Sequence, residues 1–203
     1  MTAVALAATL GLACGTPETA APRAVFGESA PGRGTAGATA PDAAAAPAGD
    51  TSRPAAPPRR IRVPRVGLDA RIEAVGVTRE GTMTVPADPA VAGWYRFGPA
   101  PGAGQGSAVL AGHVDDETGA LGEFAALRDL RRGDRVEVLR RGADPVVHRV
   151  VARRTVPQDE LPPSVFRRTG DPVLTLVTCA PPFLPDRGGY RSNLIVTAVP
   201  AGS

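Results

Sequence analysis

From Arg60 onward, apolar and polar residues alternate in short runs, and this pattern predicts a succession of β-strands. Ile61-Arg62-Val63 and Val66-Gly67-Leu68 flank Pro64, and residues 70–75 alternate with period two, so two short strands are expected at the start. A turn at residues 76–81 leads to a predicted strand at Thr82-Met83-Thr84-Val85, and Val91-Ala92-Gly93-Trp94-Tyr95 is the next apolar element. The glycine-rich stretch 98–106 feeds a buried strand at 107–112 that ends at His113. Phe124, Ala125, Leu127 and Leu130 have helical spacing and predict one short helix. Residues 135–139 and 145–151 read as a hairpin, and 161–166 as one helical turn. Leu174-Thr175-Leu176-Val177-Thr178-Cys179 is an apolar strand expected to stop at the cysteine, because Pro181 and Pro182 cannot continue a central ladder. Residues 193–199 form the last strand. Many short strands with little helix predict a mainly β domain, either a closed barrel or a sandwich.

The N-terminal part has a different pattern. Residues 2–14 are small and apolar, about the length of a signal-peptide core and short for a membrane span, so residues 1–14 are expected to be a signal anchor or signal peptide. No Arg or Lys precedes the run, which favours a start upstream of Met1. Cys14 ends the run as a lipid-modified cysteine would, but Gly11 and Leu12 fit a lipidation signal poorly. Residues 15–59 are rich in Pro, Ala, Gly, Thr and Ser, cannot bury enough surface to offset ordering entropy, and predict a disordered linker. The folded domain is expected over residues 60–200, held outside the cell near the membrane by the N-terminal segment.

Composition narrows the function classes. All 23 basic side chains are arginines, and with 20 acidic residues interspersed the net charge is only +3. The Arg pairs are scattered along the domain and form no concentrated stripe, so nucleic acid is not an expected partner. Aromatic residues make up 4% of the chain, which leaves Val, Leu and Ala to build the core.

The candidate chemistry lies at strand ends. Cys179 is the single cysteine of the domain, so no disulfide within it explains its presence; a small buried hydrophobe is the alternative to a reactive thiol. His113 ends another strand and could exchange protons with a thiol near neutral pH. His148 lies within an alternating strand beside arginines and is expected to be structural or exposed. Arg191 follows Cys179 by twelve residues; a guanidinium there could stabilise an oxyanion, with Arg187 as an equal competitor for the role. One Cys and one strand-end His make no metal site, and Asp115-Asp116-Glu117 is expected to be a solvated loop rather than a cation site, so neither metal nor cofactor is expected.

Gly112-His113-Val114-Asp115, Thr175-Leu176-Val177-Thr178-Cys179 and Tyr190-Arg191-Ser192-Asn193-Leu194-Ile195-Val196 together resemble the sortases, most closely the class F (class E/F) type of high-GC Gram-positive bacteria. Trp94-Tyr95 and Leu127-Arg128-Asp129-Leu130 before Gly133-Asp134 fit the same subgroup, and the likeness runs over about residues 61–199. The resemblance implies a closed sortase-type β-barrel of about eight strands with one or two short helices, and an extracytoplasmic cysteine transpeptidase. It implies that Cys179 attacks the Thr carbonyl of an LPxTG-like sorting signal to form a thioacyl enzyme, and that His113 protonates the leaving amine and deprotonates the incoming one. It assigns the oxyanion and substrate to Arg191 over Arg187, and gives Thr178 a substrate-binding or shaping role. The implied partners are sorting-signal peptides of secreted proteins and an amine of a peptidoglycan precursor. Two alternatives remain from the residues alone: a secreted cysteine peptidase releasing its product to water, and a non-enzymatic lipid-anchored binding domain with Cys179 in its core. The His-Gly-Cys motif of L,D-transpeptidases is absent.

Overall fold

The structure is a computed structural model that describes residues 55–187 and 189–202. The predicted leader and all but the last residues of the predicted linker lie outside the described residues. Eight strands close into a barrel in the order β1-β2-β3-β4-β7-β8-β6-β5. They are β1 Pro58–Val63, β2 Leu68–Val75, β3 Val91–Tyr95, β4 Ser107–Ala111, β5 Arg135–Arg140, β6 Ala143–Pro157, β7 Val173–Leu184 and β8 Gly189–Pro200. Closure satisfies the edge hydrogen bonds that an open sheet would leave exposed.

Alternation decides which side chains fill the barrel. Ile61 and Val63 of β1, Leu68, Ala70 and Ile72 of β2, Leu174 and Leu176 of β7, and Leu194, Val196 and Ala198 of β8 share one buried cluster. The predicted helix is a 3-10 helix, Glu123–Asp129, whose Phe124 and Leu127 enter the same cluster together with Leu130. Each such side chain contributes ~2 kcal/mol by leaving water. A second, smaller cluster of Val109, Val165 and Ile195 lies on the outer face, with Val177 packed against it. Val177 therefore belongs with Cys179 on the outer face of β7, while Leu174 and Leu176 face inward.

Several expectations need correction. Pro64 opens a 3-10 turn, Pro64–Val66, and Leu68 starts β2 rather than ending a first strand. The stretch predicted as a strand at 82–85 forms a small loop with a single bridge, Val77 to Met83, because no neighbouring strand offers it a continuous ladder. β6 runs to Pro157, well past the predicted hairpin arm, since its distal half pairs with β8. β7 does not stop at Cys179. It continues to Leu184 through a register shift between Ala180 and Phe183, so two prolines sit opposite one residue of β8 and the missing N–H groups fall in the bulge.

His148 is structural, as one of its two expected readings held. It is 2% exposed within β6, and its Nδ1 has no hydrogen-bond partner among the described residues. Burial first, and the positive charge of Arg140 second, pull its pKa down to about 4. The unfolded chain protonates this imidazole below about pH 6.5 while the folded one resists until about pH 4. Stability is thus complete above pH 6.5 and falls as the pH drops towards 4, by ~3 kcal/mol in total from this group. Urea titrations at pH 7.5 and pH 5 should show a loss that His148→Phe reduces; an equal loss in both proteins would refute the assignment.

Candidate active site

The parallel pairing of β4 with β7 builds the site. Ala111 lies opposite Val177, and the ladder extends one step as the Gly112 N–H donates to the Val177 carbonyl at 3.2 Å. The Thr178 hydroxyl, 4% exposed, donates to the Gly112 carbonyl at 2.8 Å. Continuing the register by two residues brings His113 level with Cys179, and both line one open cleft of about 1390 Å³. A side chain at Gly112 would strike the Phe124 ring, with a Cβ only 2.7 Å from Cγ. A Cβ at Gly122 would lie 2.6 Å from the His113 carbonyl oxygen, so the chain returning from the His113 loop must be glycine to pass.

His113 is also held from the opposite wall. Its Nε2 lies 2.9 Å from the Pro86 carbonyl oxygen, which can only accept, so Nε2 carries the proton of this bond and Nδ1 is the nitrogen left to gain or lose one. Cys179 is half-buried on the outer face of β7 and is a free thiol. Burial first, and the Asp115 carboxylate second, push its pKa above the ordinary thiol value. The resting group is therefore protonated at neutral pH, and its use as a nucleophile requires that its proton be taken.

The structure brings together two of the four predicted residues in the cleft. Arg191 is exposed on β8, opposite the bulge of β7 and two residues before Asn193, the register partner of Cys179; it does not line the cleft. Arg187 ends the 3-10 turn Pro185–Arg187. Thr178 points into the barrel, where its hydroxyl is engaged by Gly112. Thr178→Val keeps the shape and removes that bond. It should cost ~1 kcal/mol of stability and lower kcat by misaligning the His113 and Cys179 strands, measured by thermal unfolding and steady-state kinetics; unchanged values would deny the hydroxyl this role.

Sequence reasoning gave no role to three further residues of the cleft. Asp115, Phe183 and Tyr190 all line it, and Tyr190 donates to Asp115 at 2.5 Å. Asp115 stood in an acidic triplet expected to be solvated. The Asp116 carboxylate is satisfied within its own loop, where it accepts from Thr118 and Ala120, and no cluster of metal-ligating side chains occurs among the described residues.

The chain matches the sortase-domain family model over residues 61–201. It superposes on sortase C-1 from Actinomyces oris with a TM-score of 0.54 and 25% identity, covering 71% of this chain and 73% of that one. The lid mutant of Streptococcus agalactiae sortase C1 gives a TM-score of 0.54 at 22% identity, over 71% and 69% of the two chains. Sortase C2 of Group B Streptococcus pilus island 1 gives 0.54 at 21% identity, over 70% and 73%. At those identities the two streptococcal structures speak to the fold. No curated protein sequence matches the chain. A barrel of eight strands with a thiol and an imidazole in one cleft, matched over this length, makes the chain a member of the sortase family, the extracytoplasmic cysteine transpeptidases of the cell surface.

Proposed function

We propose that the protein cleaves an LPxTG-like sorting signal between Thr and Gly and joins the Thr carbonyl to a cell-wall amine, with Cys179 as nucleophile, His113 as acid and base, and Arg191 at the oxyanion. The observation that carries this reading is the shared cleft, in which the β4–β7 register sets His113 level with Cys179. His113 takes the thiol proton and Cys179 sulfur bonds to the Thr carbonyl carbon. The C–N bond to Gly then breaks as the imidazolium returns the proton to the leaving amine. An incoming amine bonds to the thioester carbon and gives its proton to His113; the C–S bond then breaks and the leaving sulfur takes that proton, which restores the thiol and the neutral imidazole.

A guanidinium offers N–H donors and no acceptor, so Arg191 serves by donating hydrogen bonds to the developing oxyanion. Its place on β8, near the strand position facing Cys179, supports the role once substrate bridges the cleft edge. Arg191→Ala should lower kcat/KM by about 10²-fold to 10³-fold, with Arg191→Lys recovering part of the loss. Equal kinetics in wild type and Arg191→Ala would reject the assignment.

Class E/F membership rests on the Gly112-His113-Val114-Asp115 and Tyr190-Arg191 motifs, whereas the solved sortases named above are class C. The same reading makes residues 1–14 a signal anchor or signal peptide, 15–59 the linker and 60–200 the catalytic domain. No helix among the described residues is long and apolar enough to cross a membrane. A fluorogenic LPxTG peptide incubated with and without oligoglycine tests the reaction. Peptide joined to oligoglycine supports transfer; cleavage with water as sole acceptor would favour a peptidase instead.

A further inference from the structure

Two walls of the cleft meet in one hydrogen bond, from the Tyr190 hydroxyl to Oδ2 of Asp115. Asp115 belongs to the loop after His113, and that loop is stiff: Asp115 bridges to Leu121, and the Asp116 carboxylate accepts the N–H groups of Thr118 and Ala120. Tyr190 belongs to the end of the β7–β8 hairpin that projects beyond the Pro181-Pro182 bulge. Its ring stacks edge-on against Phe183 with centroids 5.0 Å apart, and Phe183 is 55% exposed. On the barrel side of the bulge, Leu174, Leu176, Leu194 and Val196 hold β7 and β8 from within. Beyond it, none of the described residues of the hairpin end belongs to a buried core cluster, so its position relative to His113 depends on contacts such as those made across the cleft.

We propose that Asp115 is a positioning residue for the transfer reaction: through Tyr190 it fastens the hairpin end to the His113 loop and sets the width of the cleft where Cys179 and His113 meet. The inference rests on the assignment of Cys179 and His113 as the reacting pair. It gives the carboxylate a mechanical task that an isolated solvated loop would not need. A sorting signal crossing the cleft passes between walls held at a fixed spacing, which a near-attack geometry requires.

The carboxylate has an electrostatic consequence as well. The titratable groups lining the cleft with the thiol are His113, Asp115, Asp116 and Glu117 from the loop after β4, and Tyr190 from β8. The segment before β3 and the turn after β6 contribute only uncharged residues. Asp115 adds to burial in raising the Cys179 thiol, and its bond with Tyr190 is the largest cause pushing that phenol up to about 12.

Three variants of the full chain separate the tie from the charge. Tyr190→Phe removes the tie and keeps the carboxylate; Asp115→Ala removes both; Asp115→Asn keeps an oxygen that accepts from Tyr190 and removes the charge. The KM for an LPxTG peptide should rise about fivefold in Tyr190→Phe and Asp115→Ala with a smaller change in kcat, and Asp115→Asn should stay within about twofold of wild type. The pH midpoint for alkylation of Cys179 by iodoacetamide should fall in both Asp115 variants and not in Tyr190→Phe. Wild-type KM in Tyr190→Phe, or an Asp115→Asn variant as impaired as Asp115→Ala, overturns the positioning role. An unmoved alkylation midpoint in Asp115→Asn overturns the electrostatic one. Peptide turnover by Cys179→Ala, assayed alongside, would instead sink the nucleophile assignment, independently of the KM comparison.

Discussion

Cys179→Ala should reduce peptide cleavage and transfer together to the uncatalysed background, a loss of about 10⁴-fold or more, while leaving the barrel folded. The two activities fall together because both pass through the same thioester. Stability should change little, since the thiol is half-buried on the outer face of β7 and contributes little to the inner core. Steady-state assays beside a thermal unfolding curve check both halves of this expectation. Activity surviving in a folded variant would place the chemistry elsewhere.

His113→Asn should lower kcat by about 10²-fold to 10⁴-fold, the range usual for a positioned acid and base. The asparagine amide is too short to reach the Pro86 carbonyl as Nε2 does and cannot exchange a proton, so the variant loses the wall contact and the acid and base together. The thiol is held above its ordinary pKa by burial and by Asp115, so a hydroxide-driven reaction should partly recover activity as pH rises. The pH profile of the variant should therefore keep climbing through the alkaline range. A variant with wild-type kcat at pH 7.5 would remove His113 from the mechanism.

The two residues of the cleft to which the proposal assigns the chemistry were legible because each ends a short apolar run. Residues 107–112 and 174–178 are small, β-branched or leucine, and each run gives way to a side chain of a different chemistry, His113 in one and Cys179 in the other. Sequence alternation also pointed to a mainly β architecture, barrel or sandwich, and the family resemblance implied the closure and the strand number. What sequence could not give was pairing. Nothing local says that β4 runs parallel to β7, although that register is what sets His113 level with Cys179. Proline chemistry misled at Pro181-Pro182, because a residue that cannot donate to a ladder is still accommodated when the opposing strand offers one residue for two.

The same limit explains Asp115 and Tyr190. Both were visible, one in an acidic triplet and one beside Arg191, but their bond joins elements far apart in the chain. An acidic loop residue carries no signal of a distant phenol. Thr178 shows the converse: the resemblance gave it a substrate-binding or shaping role, whereas alternation turns it inward and its hydroxyl donates to the Gly112 carbonyl.

The most direct test of the central claim is to look for the thioacyl enzyme itself. The protein would be mixed with an LPxTG peptide in the absence of an amine acceptor, quenched in acid within the first turnovers, and weighed intact by mass spectrometry. A mass gain equal to the peptide portion ending in Thr, mapped to Cys179 and lost when oligoglycine is added before the quench, is the predicted result. Cleaved peptide accumulating with no adduct on Cys179, or the same adduct forming on Cys179→Ala, would contradict it.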